Sequence, residues 1–415
     1  MHYPRSKETL AVVAVMAAFA VVLTLTNIAS AWSLLPDAAR SDEAQAAATP
    51  TNPKFRKTIR PGGLFTNFFV VSRLAFSPDG RYLAIANGGL PFVVVWDLER
   101  DREQSHFRLP GRVGGERSPC WGRDERLLWS PDGRFITDGA SYAEVFRPRN
   151  VAPKDWDPAP YLFMSFMDPM TGQVAQKVNM QGTHGVFNRD GSKLATFYQR
   201  SPGKLLIYDT HTWARTEIDT GLIATPEFDW AEDGRILVVG CIWQRQGHIL
   251  RGRDGIPFPD KSHVILKIDT AGRGAIEATL VQSSDIDPKD GKIYPHGSCS
   301  GAISSLNGRK MAIRCDGVHI LDTDSLATLS VYNSSDGSAV YDANNGLDFS
   351  LDGRLLYAVG SDSADRRVQS DIIDTTTGRV VGRFPSGWSH AVAISPNGRT
   401  MAVGHSNYLE LFDLR

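Results

Sequence analysis

The chain has 415 residues, with 45 Lys and Arg against 46 Asp and Glu for a formal charge of −1, so it carries no global field to hold a polyanion, and nucleic-acid binding is disfavoured. Hydrophobic residues at 42% and charged residues at 22% exclude a disordered chain, and the 38 Gly mark a folded chain rich in turns. At roughly 150 residues per domain the length alone predicts nearly three domains, an expectation that the internal repeat replaces with one.

Residues 1–35 come first. Arg5 and Lys7 precede Leu10 to Leu25, sixteen residues broken only by Thr24, and the apolar stretch runs on to Leu35. This is an export signal with two readings. Ala29-Ser30-Ala31 supplies a small-x-small cleavage site, whereas Leu10 to Trp32 is 23 residues, long enough to remain as a membrane-crossing helix. The positive residues in front, and Asp37, Asp42 and Glu43 behind, place the N-terminus in the cytoplasm and the rest on the periplasmic or extracytoplasmic side. Residues 36–53, with DAARSDEAQAAATPT at their heart, are small and polar without periodicity and read as a flexible tether.

From residue 54 onward a repeat governs the chain. A turn ending in Gly recurs seven times, at Gly80, Gly133, Gly191, Gly234, Gly308, Gly353 and Gly398, in six cases followed by Arg. Asp or Asn precedes the Gly each time. That pair is expected to accept positive φ and to fold the flanking apolar segments into a hairpin. A second signature alternates with the first: an apolar residue then Asp, at Trp96-Asp97, Met167-Asp168, Tyr208-Asp209, Ile268-Asp269, Leu321-Asp322, Ile373-Asp374 and Phe412-Asp413. It ends a third strand, and runs such as Asp374-Thr-Thr-Thr-Gly378 turn the chain into a fourth. Two signatures in strict alternation define a four-stranded antiparallel blade.

The segments LAFSPDGRYLA (Leu74 to Ala84) with VVVWDLE, and VAISPNGRTMAVG (Val392 to Gly404) with LELFDL, resemble the WD-repeat and related bacterial WD-like propellers. The resemblance covers nearly everything after the tether. The fold class expected is all-β, a seven-bladed β-propeller of four-stranded antiparallel blades over residues 54–415, with an N-terminal hydrophobic helix. The seventh unit stops after its third strand, so Phe55 to Ile59 is expected to complete the last blade and close the ring.

Successive turn glycines lie 53, 58, 43, 74, 45 and 45 residues apart. The excess falls between second and third strands (Arg147 to Pro160 and Arg245 to Ser262) and between blades (Gly111 to Arg123 and Gln282 to Ser298), connections that share one face. Long loops on a rigid ring point to a binding surface, and neutral drift at tolerant loop tips is the competing reading. Trp156, Arg251, Arg253 and Phe258 favour docking; Asp285, Asp287 and Asp290 form an acidic loop that lacks the spacing of a calcium-binding loop.

At the upper ends of the first strands Arg73, Arg126, His184, Glu227 and His390 are expected to ring the mouth of the central channel. Asp229 and Asp348 stand where other blades carry Ala75, Leu128, Val186, Ile303 and Ala393, either as channel-lining carboxylates or as acceptors for nearby backbone amides. Four cysteines do not build a disulfide scaffold. Cys299 and Cys315 would face each other across one hairpin, compatible with a cross-strand disulfide, with free buried thiols, or with a metal site joined by His296; no spacing enforces the last. No nucleophile elbow, metalloprotease, phosphate-loop or haem motif occurs. No cofactor is expected. The reading is an exported, membrane-tethered scaffold that takes a protein partner or small ligand on its loop-rich upper face. Two alternatives are an enzyme with an axial site, lactonase-like or a periplasmic dehydrogenase subunit, and an assembly subunit of a larger membrane complex.

Overall fold

In the computed structural model of the chain the described residues are 52–61, 70–87, 92–109, 127–137, 139, 142–143, 162–198, 204–220, 222, 227–241, 263–270, 274–282, 285–286, 293–294, 300–314, 317–332, 346–359, 369–385 and 389–414. Seven antiparallel sheets follow one another around a ring. Blade 1 contains Val71–Phe76, Tyr82–Asn87, Phe92–Asp97 and Arg102–Arg108. Blade 2 contains Leu128–Trp129, Ile136–Thr137, Leu162–Met167 and Val174–Asn179, with Tyr142–Ala143 pairing on Leu162 and Phe163. Blade 3 contains Thr183–Phe187, Lys193–Tyr198, Lys204–Asp209 and Arg215–Asp219; blade 4 contains Glu227–Trp230, Ile236–Cys241, His263–Asp269 and Gly274–Gln282. Blade 5 contains Ser300–Ser304, Lys310–Arg314, Val318–Asp322 and Thr328–Tyr332; blade 6 contains Leu347–Phe349, Leu355–Ala358, Gln369–Asp374 and Val380–Pro385. Blade 7 joins Ser389–Ile394, Thr400–His405 and Leu409–Asp413 to Lys54–Ile59, which pairs from Lys54↔Asp413 to Ile59↔Leu409. The N-terminal hydrophobic segment lies outside the described residues, and among the described residues no helix is long and apolar enough to cross a membrane.

The first turn works differently from the sequence expectation. All seven glycines have φ between 67° and 76°, but the preceding Asp or Asn does not. Its job is to accept hydrogen bonds. In blade 1, Ser77 Oγ donates to Asp79 Oδ1 at 2.5 Å, Arg81 N donates to the same oxygen at 3.0 Å, and Tyr82 N donates to Ser77 Oγ at 2.8 Å. Blades 2, 5, 6 and 7 repeat this arrangement. Gly alone supplies the left-handed residue, as its missing Cβ allows, and the short polar side chain satisfies the turn's free amides.

The two repeated signatures touch each other. Asp374 Oδ1 accepts from Thr376 N and Thr377 N at 3.0 and 2.8 Å, while Thr375 Oγ1 donates to the carbonyl of the turn Gly353 at 2.8 Å. Thr323 and Thr210 reach Gly308 and Gly191 in the same way. In these blades the third-to-fourth turn is thereby tied to the first-to-second turn of the same blade.

Packing is strictly between neighbours. Each of the seven apolar clusters draws on two adjacent blades, and the one that closes the ring unites Ile59, Leu409 and Leu411 with Val71, Leu74 and Leu83. Because both faces of every sheet are covered, the inner strands read as nearly continuous apolar runs. First and third strands run toward the face of tight turns, the turn face. Second and fourth strands return to the opposite, loop face.

Candidate functional site

The axis of the ring is lined by the first strands, whose inner edges have no further strand to bond with, so their polar groups need other partners. Two carboxylates provide them. Asp229 is fully buried, accepts from Trp230 N at 2.9 Å, and reaches across to blade 5, where Ser304 N donates at 3.0 Å. Asp348, 8% exposed, accepts from Phe349 N at 2.8 Å and from Ile394 N of blade 7 at 2.7 Å. Burial pushes the Asp348 carboxyl well above its ordinary range, opposed by the two amides. Two indoles act in the complementary sense: Trp129 Nε1 donates to Ala75 O and Trp230 Nε1 to Val186 O, both at 3.0 Å and both toward the preceding blade. Of the two readings for Asp229 and Asp348, the amide acceptor is the one realised.

A buried cation that no sequence pattern marked joins blades 4 and 5. Lys267 is 1% exposed, and its Nζ donates to Asp324 O at 3.1 Å and Asp324 Oδ1 at 3.2 Å, with Asp233 Oδ2 at 3.3 Å. A lysine in the middle of a third strand reads as solvent-facing until its neighbour blade is in place.

At the loop-face end of the axis the polar cluster lies where blades 7 and 1 meet. Ser389 is paired across the hairpin with His405. Gly404 allows blade 1 to abut that hairpin, since a Cβ there would lie 2.6 Å from Val71 Cγ1. His390, 6% exposed, has no partner for Nδ1 among the described residues, and neither has Ser72 Oγ. Arg73, next to Ser72 on the inner strand of blade 1, is also buried. His405 is stacked on Tyr408 with ring centroids 4.3 Å apart, and its Nε2 lies 3.3 Å from Glu410 Oε2. Burial, with a smaller contribution from His405, lowers His390 to about 4, so at neutral pH its imidazole is uncharged. The cluster therefore offers a neutral imidazole and a hydroxyl for hydrogen bonding. Among the described residues no group of three or more His, Cys, Asp or Glu could hold a metal ion.

The lowered value has a measurable consequence. A histidine whose folded value lies below its unfolded 6.5 binds its proton mainly in the unfolded state, so stability present above pH 6.5 is lost as the pH falls toward 4, by about 3 kcal/mol at roughly 1.4 kcal/mol per unit. His390→Gln is expected to flatten the fall in denaturation midpoint between pH 7 and pH 4.5 relative to the unsubstituted chain. Parallel pH dependences for the two would refute the assignment.

The other expected site residues divide by position. Arg73 and His390 stand on the inner strands of blades 1 and 7. His184 and Glu227 lie on the inner strands Thr183–Phe187 and Glu227–Trp230, where Glu227 pairs with Val239. Asp285 belongs to a two-residue ladder, Asp285–Ile286 with Ile293–Tyr294, which makes this connection a small hairpin. Arg126, Trp156, Arg251, Arg253, Phe258, Asp287, Asp290, Cys299 and Cys315 lie outside the described residues. The blade 5 ladder extends as far as Ser300↔Arg314, the pair adjoining the two cysteines in sequence.

No protein-family model and no curated protein matches the chain. Solved structures do. The β-propeller domain of Myceliophteria thermophila Cps50 (Swd1) is 13% identical with a TM-score of 0.56, covering 88% of this chain and 100% of that one. Hydrazine synthase from Kuenenia stuttgartiensis is 15% identical with a TM-score of 0.56, covering 86% of this chain and 98% of the other. At these identities the likeness is one of fold. The chain is a seven-bladed β-propeller.

Proposed function

We propose that this propeller is an exported, membrane-tethered scaffold of the WD-like kind, binding a protein partner or a small ligand on its loop face. The observation that carries the reading is an asymmetry of the ring. On the turn face every described connection is a tight turn closed by its own side chains. On the loop face lie both ends of the longest connections, between Thr137 and Leu162, Arg108 and Leu128, Cys241 and His263, and Gln282 and Ser300. Variable length on one side of a rigid frame is how scaffolds acquire recognition. Trp156 and Arg251, carried by two of these connections, are the anchors proposed, since aromatic and arginine side chains dominate interface energetics.

Extraction of the full chain in mild detergent, followed by mass analysis of what co-purifies, tests the reading. The double variant Trp156→Ala, Arg251→Ala is expected to lose its partner at least tenfold, each anchor contributing about 1–2 kcal/mol, with the melting temperature unchanged. Retention of the partner would overturn the choice of face. A second reading, an axial ligand or catalytic site, is favoured by the unpartnered His390 Nδ1 and Ser72 Oγ; stoichiometric divalent metal in the purified protein would support it over the scaffold.

A further inference from the structure

The outer rim of the ring is not uniform. Of the seven exposed large hydrophobics among the described residues, five lie on the outer strands of three consecutive blades: Leu329 and Val331 on blade 5, Val380 and Val381 on blade 6, and Phe55 on blade 7. Phe55 is 53% exposed although its ring meets Phe412 edge-on at 6.0 Å. The other two are Val174, on the outer strand of blade 2, and Leu351, in a blade 6 turn.

Charge follows this division in part. The outer strands TLSVY, VVGRFP and KFRKTI of blades 5, 6 and 7 contain Arg383, Lys54, Arg56 and Lys57 and no carboxylate. Those of blades 1, 3 and 4 contain Glu103, Glu217 with Asp219, and Glu277, while that of blade 2, VAQKVN, has Lys177 and no carboxylate. Arg56 and Lys57 pair with Asp413 and Asp101, which are themselves exposed, and Arg383 pairs with the more buried Asp371, so the outer strands supply apolar groups and cations while the adjoining turns supply part of the balancing charge.

The chain reaches the ring in the middle of this region. Asn52 lies against the outer strand of blade 6, where a Cβ on Gly382 would come within 2.9 Å of Asn52 Oδ1. From there Lys54–Ile59 climbs from the turn-face end of blade 7, where Lys54 pairs with Asp413, toward the loop face. Leu329, Val380 and Phe55 all stand near that turn-face end, opposite or next to the residues that close each third strand. The apolar run of residues 10–35 is separated from Asn52 by sixteen residues.

We infer that the turn-face half of the rim over blades 5 to 7 rests on the lipid surface, with Phe55 at the headgroup level and Lys54 and Arg56 beside it facing lipid phosphates, so that the ring stands with its loop face turned away from the bilayer. Apolar side chains rimmed by cations are what an interfacial protein surface requires, and aromatic rings favour that depth. The inference rests on the reading of residues 10–35 as a retained anchor.

The test uses the full chain in nanodiscs of phosphatidylcholine with phosphatidylglycerol, carrying the photoreactive residue benzoylphenylalanine at position 55, at 381 or, as the exposed apolar control on the opposite rim, at 174. Lipid adducts read by intact mass are expected to be several-fold more abundant at 55 and 381 than at 174. Equal yields at the three positions, no adduct at 55 and 381, or chain-to-chain cross-links in place of lipid would overturn the inference. If the intact mass shows residues 10–35 removed and the chain leaves the disc, the anchor reading fails by itself. The released chain is then mixed with vesicles of the same lipids, where adducts at 55 and 381 uphold the lipid surface and their absence rejects it.

Discussion

Deletion of Lys54–Ile59 is expected to lower the melting temperature by on the order of 10 °C, whereas deletion of Ser41–Thr51 leaves it within about 2 °C, measured on the two chains by scanning calorimetry. The strand contributes the only described ladder between the two ends of the ring, from Lys54↔Asp413 to Ile59↔Leu409, and Ile59 belongs to the cluster that unites blades 7 and 1. Its loss bares the edge of Leu409–Asp413 and opens the packing around Leu409 and Leu411, which are fully buried. Large apolar side chains stripped of cover cost about 1.5–3 kcal/mol each, and an exposed edge strand invites aggregation. Equal melting temperatures for the two deletions would show that the ring closes without this strand.

Asp348→Ala is expected to destabilise by about 3 kcal/mol, because it orphans the inward amides of Phe349 and Ile394, each buried and bonded only to this carboxyl on its inner edge, at about 1–3 kcal/mol per unsatisfied group. Asp348→Asn keeps one acceptor and presents an NH2 group to the second amide, and a smaller loss, roughly half, is expected. Chemical denaturation of the two variants at pH 7 decides the matter. A loss below about 0.5 kcal/mol for Asp348→Ala would mean that other groups satisfy these amides.

The blades were legible because the chemistry that makes them is local. Ser77, Asp79 and Gly80 complete their turn within four residues, and Asp374 with Thr375 completes the next within five, so a linear reading recovers every hairpin. The links between blades were visible only as oddities. An Asp at the place where Ala75 or Val186 stands elsewhere announced that Asp229 and Asp348 differ, but their second acceptors' donors, Ser304 and Ile394, lie 75 and 46 residues away. Lys267 carries no local signal, since Asp233 lies 34 residues before it in the first turn of its own blade and Asp324 belongs to the next blade. The Asp and Asn before the turn Gly accept amide hydrogen bonds rather than adopt positive φ, and the two functions leave the same sequence trace. His390 could be placed at the channel mouth by counting from Gly398, while its company with His405 and Ser72 required the hairpin register and the closed seam.

One feature of the turn face bears on how the ring carries load. Around most of that face each turn glycine sits against the turn of the blade before it, as Gly80 does on Pro396 and Gly133 on Pro78, and at Gly308 the fit is tight enough that a Cβ would meet Glu232 N at 2.5 Å. Among the described residues nothing lies within 4 Å of the corresponding position on Gly234. There Arg189 of blade 3 passes over blade 4 and donates to Leu306 O of blade 5 at 2.5 Å. The turn of blade 4 is thus packed on its blade 5 side, through Glu232 and Gly308, and bridged rather than packed on its blade 3 side. The chain of turn-to-turn glycine contacts therefore runs unbroken from blade 4 through blades 5, 6, 7, 1 and 2 to blade 3, and the arginine spans the one junction among the described residues, between blades 3 and 4, where a side-chain strut stands in for it.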